Sequence, residues 1–242
     1  MKLSKFQIFS IFILLALIII GIVLAVTLTG SSDDNDGTSS NSSTTVAGLT
    51  GKFIYEKGEG VVGEYDNDIT AALKTWDGVI KDDVKIDVAF YAYSSNDDTL
   101  AFAFMNDQDD IYSGGVVYIN TYNRAGTSMK NIIEHEIGHV LGIGTSRKWV
   151  DGNNSSILEK GKFPNTYDFY TSWEKRTPNK DGVPLGANGY HFSEEVFDIE
   201  LMTPFSEKKG VELPISGLTL NALKDIGWNV DLSKADELAH FP

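Results

Sequence analysis

The pattern H-E-x-x-H, formed by His135, Glu136 and His139, constrains this 242-residue chain more than any other feature. It lies in a run with helical periodicity, where two histidines four residues apart fall on one face. The apolar residues of the run form a stripe on the side away from the histidines, at positions 133, 137, 140 and 141, so we expect the histidine face to point away from the core. Two neutral imidazoles one turn apart can bind a tetrahedral zinc ion, and a neighbouring carboxylate can take a proton from water at the metal. The pattern therefore predicts a zinc site on a helix that ends near Gly142.

The first 29 residues predict a membrane anchor. Residues 6–32 contain no charged residue, and a helix through residues 6–28 would be about 35 Å long, enough for a hydrocarbon core of about 30 Å. Lys2 and Lys5 precede this segment, so the positive-inside tendency places the N-terminus in the cytoplasm. A cleaved signal peptide is the alternative, although its apolar region is usually shorter. We expect a signal anchor over residues 1–29, with the rest of the chain outside the cell.

Composition divides the rest of the chain and excludes some partners. Residues 30–47 are rich in Ser, Thr, Asp, Asn and Gly, which predicts a flexible stalk. Residues 48–242 are long enough to form one domain with its own core. The chain has no cysteine, so a zinc site cannot use thiolates. Its net charge of −14 argues against nucleic acid or anionic lipid as a partner of the domain.

The chain before the H-E-x-x-H helix predicts a layered domain. Hydrophobic patterns typical of strands lie at residues 52–55, 84–90, 100–105 and 116–120. Helical spacing predicts a helix over residues 68–80. This order indicates an α/β layer with the H-E-x-x-H helix beneath a sheet. If residues 100–105 form the sheet edge beside the site, their unpaired backbone could hold an extended peptide by strand addition.

The connection between the last two predicted strands is dense in oxygen ligands. The carboxylates of Asp107, Asp109 and Asp110 are ligands of the kind that calcium binds. The spacing of an EF-hand loop is not present in this segment. The residues favour a solvated turn, and a Ca²⁺ ion at the three aspartates is the alternative.

A catalytic zinc normally has three protein ligands and an open position for water, so a third ligand must be found. The compact pattern H-E-x-x-H-x-x-G-x-x-H would place it at Thr145, which is not a credible replacement for histidine. His240 lies near the C-terminus, where we expect a surface residue. The residues alone leave His191 and several carboxylates as candidates, namely Glu159, Glu194, Glu195 and Glu200.

At His191 the sequence resembles a known family. The H-E-x-x-H-x-x-G pattern is followed by an insert at residues 143–190, by His191 and by the tripeptide Glu200-Leu201-Met202. This arrangement looks like leishmanolysin and its relatives, which are metzincin zinc peptidases. The similarity continues through residues 142–145, 213–219 and 223–228, so that it covers residues 130–236.

The resemblance implies an α+β fold of the metzincin type. Its N-terminal part would be a twisted, mostly parallel sheet with two helices, one of them the H-E-x-x-H helix. A smaller C-terminal subdomain would contain a methionine turn and a helix. The domain then consists of an upper part at residues 48–142, the insert at 143–190 and the subdomain at 191–242.

The resemblance also implies a site and an activity. One zinc ion would be bound by His135, His139 and His191, with Glu136 as general base and Met202 in the turn beneath the metal. The expected activity is hydrolysis of peptide bonds in protein or peptide substrates. The alternative is a surface binding or adhesion protein that keeps the fold without useful turnover, and the presence of Glu136 argues against it. Because the chain has no cysteine, a thiolate-to-zinc latency switch is excluded.

Overall fold

The computed structural model describes residues 46–58, 60–61, 63–122, 126–174 and 178–239. Within these residues the fold is α+β, with seven strands, six α-helices and one 3-10 helix. The predicted anchor, residues 30–45 of the predicted stalk, and His240 lie outside the described residues. In the described part of the chain, no helix is long and apolar enough to cross a membrane.

Five of the described strands form one mixed, mostly parallel sheet. They are β1 (Val46–Thr50), β2 (Phe53–Lys57), β3 (Ile86–Tyr93), β4 (Ala101–Met105) and β5 (Gly115–Asn120). Their spatial order is β1-β2-β3-β5-β4. The strands β2, β3 and β5 run parallel, whereas β1 and β4 pair antiparallel at the two edges. The segment predicted at residues 100–105 is therefore an edge strand.

Two helices, α1 (Asp66–Val79) and α2 (Met129–Val140), pack side by side against one face of this sheet. The α2 helix contacts β4 and β5 and carries the H-E-x-x-H pattern. The side chains between sheet and helices are fully buried, among them Phe53, Trp76 and Phe90. Their burial fixes α2 on the sheet next to its β4 edge.

The α2 helix is buried on more sides than its amphipathic pattern indicated. Ile133 and Ile137 of the apolar stripe are fully buried, as predicted. The expectation that the histidine face points away from the core was wrong for part of that face, because Glu136 and His139 are buried too. The C-terminal part of the chain covers this face, and the Leu201 carbonyl accepts a hydrogen bond from the His135 ring of α2. The helix therefore lies between two layers.

The C-terminal part contains the remaining elements. They are α3 (Arg147–Gly152), β6 (Ile157–Glu159), α4 (Pro164–Trp173), β7 (Gly182–Pro184), α5 (Glu194–Phe197), α6 (Gly217–Ile226) and the 3-10 helix Leu232–Lys234. The strands β6 and β7 pair antiparallel, and α4 packs against α6. The backbone N–H of Thr166 at the start of α4 donates to the Asp225 carboxylate of α6 at 2.8 Å. The predicted insert therefore shares a core with the C-terminal segment.

The start of the domain differs from the prediction. The strand β1 begins at Val46, inside the segment 30–47 that composition assigned to the stalk. Ala47 lies opposite Glu56, and Thr50 lies opposite Phe53. Two apolar residues are too few to signal a strand, and the pairing partner β2 supplies the hydrogen bonds that order them.

Candidate metal centre

Three histidine side chains converge beside α2. His135 and His139 lie one turn apart on α2, and His191 lies between β7 and α5. The distance between Nε2 atoms is 3.0 Å for His135 and His139, and 3.1 Å from each of them to His191. The three residues form a group that could bind a metal ion.

The hydrogen bonds of the α2 histidines fix which ring nitrogen faces the group. The Nδ1 of His135 lies 2.7 Å from the Leu201 carbonyl oxygen, and the Nδ1 of His139 lies 2.7 Å from the Ile143 carbonyl oxygen. Because a carbonyl oxygen can only accept, each Nδ1 carries the proton and each Nε2 presents a lone pair. Lone pairs that converge at 3.0 Å repel one another, so a cation between them stabilises the arrangement.

The size of the nitrogen triangle fits a first-row transition metal. Tetrahedral zinc with Zn–N distances of about 2.05 Å holds its nitrogen ligands about 3.4 Å apart. Sides of 3.0 and 3.1 Å reach that value with small ring movements. Burial lowers the pKa of His139 to about 3, with a smaller contribution from His135, and it lowers the pKa of His135 and His191 as well. These shifts favour the neutral form of the rings, which is the form that binds metals.

The turn after α2 places the Ile143 carbonyl. Gly142 has a φ of 104°, in the left-handed region that favours glycine, and the N–H of Ile143 donates to the Gly138 carbonyl at 3.1 Å. This reversal returns the Ile143 carbonyl to His139. Thr145, the position of the third histidine in the compact pattern, donates its hydroxyl to the His139 carbonyl. The helix end predicted at Gly142 is confirmed.

The segment that carries His191 is held by the insert. The His191 carbonyl accepts the N–H of Gly186 at 2.9 Å, and Trp149 Nε1 donates to the Gly189 carbonyl at 2.8 Å. The amide of Asn188 lies 3.4 Å from His191 Nδ1. The buried Trp149 therefore fixes the loop that delivers the third histidine.

Met202 lies fully buried against α2. Its Sδ is 2.5 Å from the position that a Cβ would take at Gly138, so any larger residue at 138 would displace it. The Met202 carbonyl accepts the N–H of Phe192, next to His191, at 3.0 Å. The methionine thus contacts the helix turn between His135 and His139 and is bonded to the His191 segment.

Glu200, a rival candidate for the third ligand, is directed away from the histidines. Its Oε2 accepts the N–H of Met202 at 2.6 Å, and its Oε1 accepts the hydroxyls of Ser216 and Thr219 at the start of α6. Burial raises the pKa of Glu200 to about 7, although the hydrogen bonds to its carboxylate lower it. Glu200 therefore ties the Met202 turn to α6. The other three carboxylates do not join the histidine group: Glu159, Glu194 and Glu195.

Glu136 is buried next to the histidines on α2. Its Oε2 has no hydrogen-bond partner among the described residues, and burial raises its pKa to about 8. Buried polar groups normally have partners, so this unsatisfied carboxylate oxygen makes Glu136 a candidate functional residue. Burial also raises the pKa of Tyr93 to about 12, and the charges of Asp97 and Glu136 contribute to that rise.

The aspartates between β4 and β5 are not gathered into a group that could hold a metal ion. The carboxylates of Asp107 and Asp110 accept backbone N–H groups within the turn, and Asp109 pairs with Arg147 at 3.3 Å. The three do not bring their oxygens within 4.8 Å of one another. These bonds stabilise the turn, as the favoured interpretation of the sequence predicted.

Sequence reasoning missed the groups that orient the ligands. Two are the backbone carbonyls of Leu201 and Ile143, for which no residue type gives a signal. Glu200 has a signal in the tripeptide Glu200-Leu201-Met202, but its carboxylate indicates a possible ligand and not a group that bonds to the backbone of the turn.

No protein-family model matches the chain, and a search of curated proteins finds no significant match.

Proposed function

We propose that this chain is a zinc-dependent endopeptidase that hydrolyses peptide bonds of protein or peptide substrates outside the cell. One observation carries this proposal: three histidine Nε2 atoms converge within 3.1 Å beside a buried carboxylate, Glu136, that lacks a partner among the described residues. The group has three histidines, and catalytic zinc typically has three protein ligands, whereas structural zinc sites are closed by four.

We further propose that the domain is a metzincin of the leishmanolysin-like type. The resemblance in the motifs supports this, and so does the position of His191 after a folded insert. The packing of Met202 against Gly138 is what a methionine turn beneath the metal would require.

A zinc ion held by His135, His139 and His191 would supply Lewis-acid chemistry to bound water and to the scissile carbonyl. The Leu201 and Ile143 carbonyls orient two of the rings. The positive charge of such an ion would lower the pKa of Glu136, so that ionised Glu136 would take a proton from the attacking water and later give it to the leaving amine.

The edge strand β4 provides the proposed binding surface for the peptide. The N–H of Asn120 donates to the Leu100 carbonyl and the N–H of Asn106 to the Gly114 carbonyl. Because hydrogen-bonded and free positions alternate in an antiparallel pair, the backbone groups of Ala101, Ala103 and Met105 point to the open edge. An extended peptide can bind them beside α2, which packs against β4.

The test is metal analysis of the purified full chain together with a casein cleavage assay. We expect one zinc per chain, cleavage, and inhibition by phenanthroline. Glu136→Gln should keep the zinc and lose about 10²- to 10⁴-fold of the rate. Glu195→Gln, which changes an exposed carboxylate on the neighbouring α5, should behave as wild type.

Two results would contradict the proposal. Cleavage that survives metal removal would refute the metal mechanism. A chain that holds zinc but cleaves nothing, with Glu136→Gln indistinguishable from wild type, would favour a binding protein instead.

A further inference from the structure

The outer face of the sheet, opposite α1 and α2, carries a row of aromatic rings that reaches the open edge. Phe102 and Phe104 lie on β4, Tyr118 on β5 and Tyr93 on β3. The Phe102 ring centroid is 5.0 Å from Tyr118, 5.1 Å from Tyr93 and 5.5 Å from Phe104. Phe102 is partly buried by these contacts, whereas Phe104 is 40% exposed. The row ends at the strand that would pair with a peptide.

The register of β4 determines which peptide side chains would meet these rings. Phe102 lies opposite Tyr118 and Phe104 opposite Val116, and both are in the alternating set whose backbone groups bond to β5. On the open side, an antiparallel peptide would face Phe102 and Phe104 in pairs that are not hydrogen-bonded. In such pairs the Cα atoms lie about 4.5 Å apart and the side chains are at their closest.

The two faces of β4 differ in what they offer. Side chains at Ala103 and Met105 point inward and are buried against α2. Those at Phe102 and Phe104 point outward. A peptide side chain directly opposite one of these residues lies on the same face of the sheet. Peptide residues two apart would therefore lie against Phe102 and Phe104 on the outer face.

We propose that Phe102 and Phe104 form a selecting surface for the substrate, which takes aromatic or β-branched side chains at two peptide positions separated by one residue. Cross-strand pairs of an aromatic ring with another aromatic or a β-branched side chain are favourable relative to alanine. We expect a preference of about three- to ten-fold at each position over alanine, and a stronger one over aspartate. This inference rests on the proposed peptidase function.

The two positions differ in exposure. Phe102 contacts Tyr93 and Tyr118 and is partly buried, and Phe104 is two residues further along β4 and 40% exposed. The position that meets Phe104 is therefore the more exposed of the two.

The experiment compares cleavage of a peptide library, varied at each position, by the full-length wild type and three variants. Phe104→Ala should reduce the aromatic preference at the position that meets Phe104 and leave the preference at the position that meets Phe102. Phe104→Glu should replace the aromatic preference at the position that meets residue 104 with a preference for lysine, because opposite charges pair favourably across strands. Ile54→Ala is the matched control: Ile54 is 41% exposed on the outer face of β2, three strands from β4, and its loss should change no preference.

The outcomes separate the two hypotheses. If the wild type cleaves no peptide, the proposed function fails, and this inference fails with it. If the wild type cleaves the library without a preference at two positions separated by one residue, or if Phe104→Ala and Phe104→Glu keep the wild-type profile, this inference alone is overturned.

Discussion

Replacement of Gly138 by alanine would test the packing between Met202 and the H-E-x-x-H turn. A Cβ at this position would lie 2.5 Å from Met202 Sδ and 2.9 Å from Met202 Cε. Optimal contacts between such heavy atoms are at about 3.5–4.0 Å, so the thioether must move by about 1 Å or more. Met202 is fully buried, and its movement would disturb neighbouring side chains.

The magnitude follows from two opposing effects. Alanine gains about 0.8–1.0 kcal/mol over glycine in a helix interior. Overpacking a close-packed core costs about 1–3 kcal/mol. We therefore expect Gly138→Ala to lower the free energy of unfolding by up to about 2 kcal/mol.

Gly78 in α1 is the matched control, because among the described residues a Cβ there would have no atom within 4 Å beyond its chain neighbours and the backbone of its own helix. We expect Gly78→Ala to stabilise the protein by up to about 1 kcal/mol. Denaturant unfolding of both variants measures the difference, and zinc competition measures whether Gly138→Ala also weakens metal binding. Met202→Ala in the Gly138→Ala background should cost less than the sum of the two single changes, because the added methyl occupies space that the thioether leaves.

One result would refute the reasoning. If Gly138→Ala is as stabilising as Gly78→Ala and binds zinc as wild type does, Met202 does not pack against the helix as described.

Two more predictions concern His191 and Glu200. His191→Ala should remove one of three metal ligands and lower zinc affinity by at least an order of magnitude in a chelator competition, and unchanged affinity would mean that the third ligand lies elsewhere. The pKa of Glu200, about 7 in the folded protein, lies above its ordinary value of 4.5, so the folded state binds this proton more tightly than the unfolded chain. That stabilisation is complete below about pH 4.5 and is lost as the pH rises through about 7, so the unfolding free energy of wild type should fall relative to Glu200→Gln over this range. A difference that stays constant from pH 4.5 to 8 would contradict it.

The local elements were predictable to within a few residues. The predicted helix at 68–80 is observed as Asp66–Val79, and the strand predicted at 84–90 as Ile86–Tyr93. Hydrophobic periodicity carries this information because burial on one face repeats at the period of the element. The composition assigned Val46 and Ala47 to the stalk, whereas they begin the strand Val46–Thr50. The formation of this strand depends on its pairing with β2 and only weakly on its own residues.

The sequence by itself determined that His135 and His139 share one face of a helix with Glu136 beside them, because helix geometry alone fixes that relation. The tertiary structure decided what completes the group. It brings His191 to within 3.1 Å of both rings and directs Glu200 into bonds with α6. Both residues lie too far from the helix in the sequence for any local pattern to relate them to it. Only the packing of the insert and the Met202 turn against α2 separates a ligand position from a buried structural carboxylate.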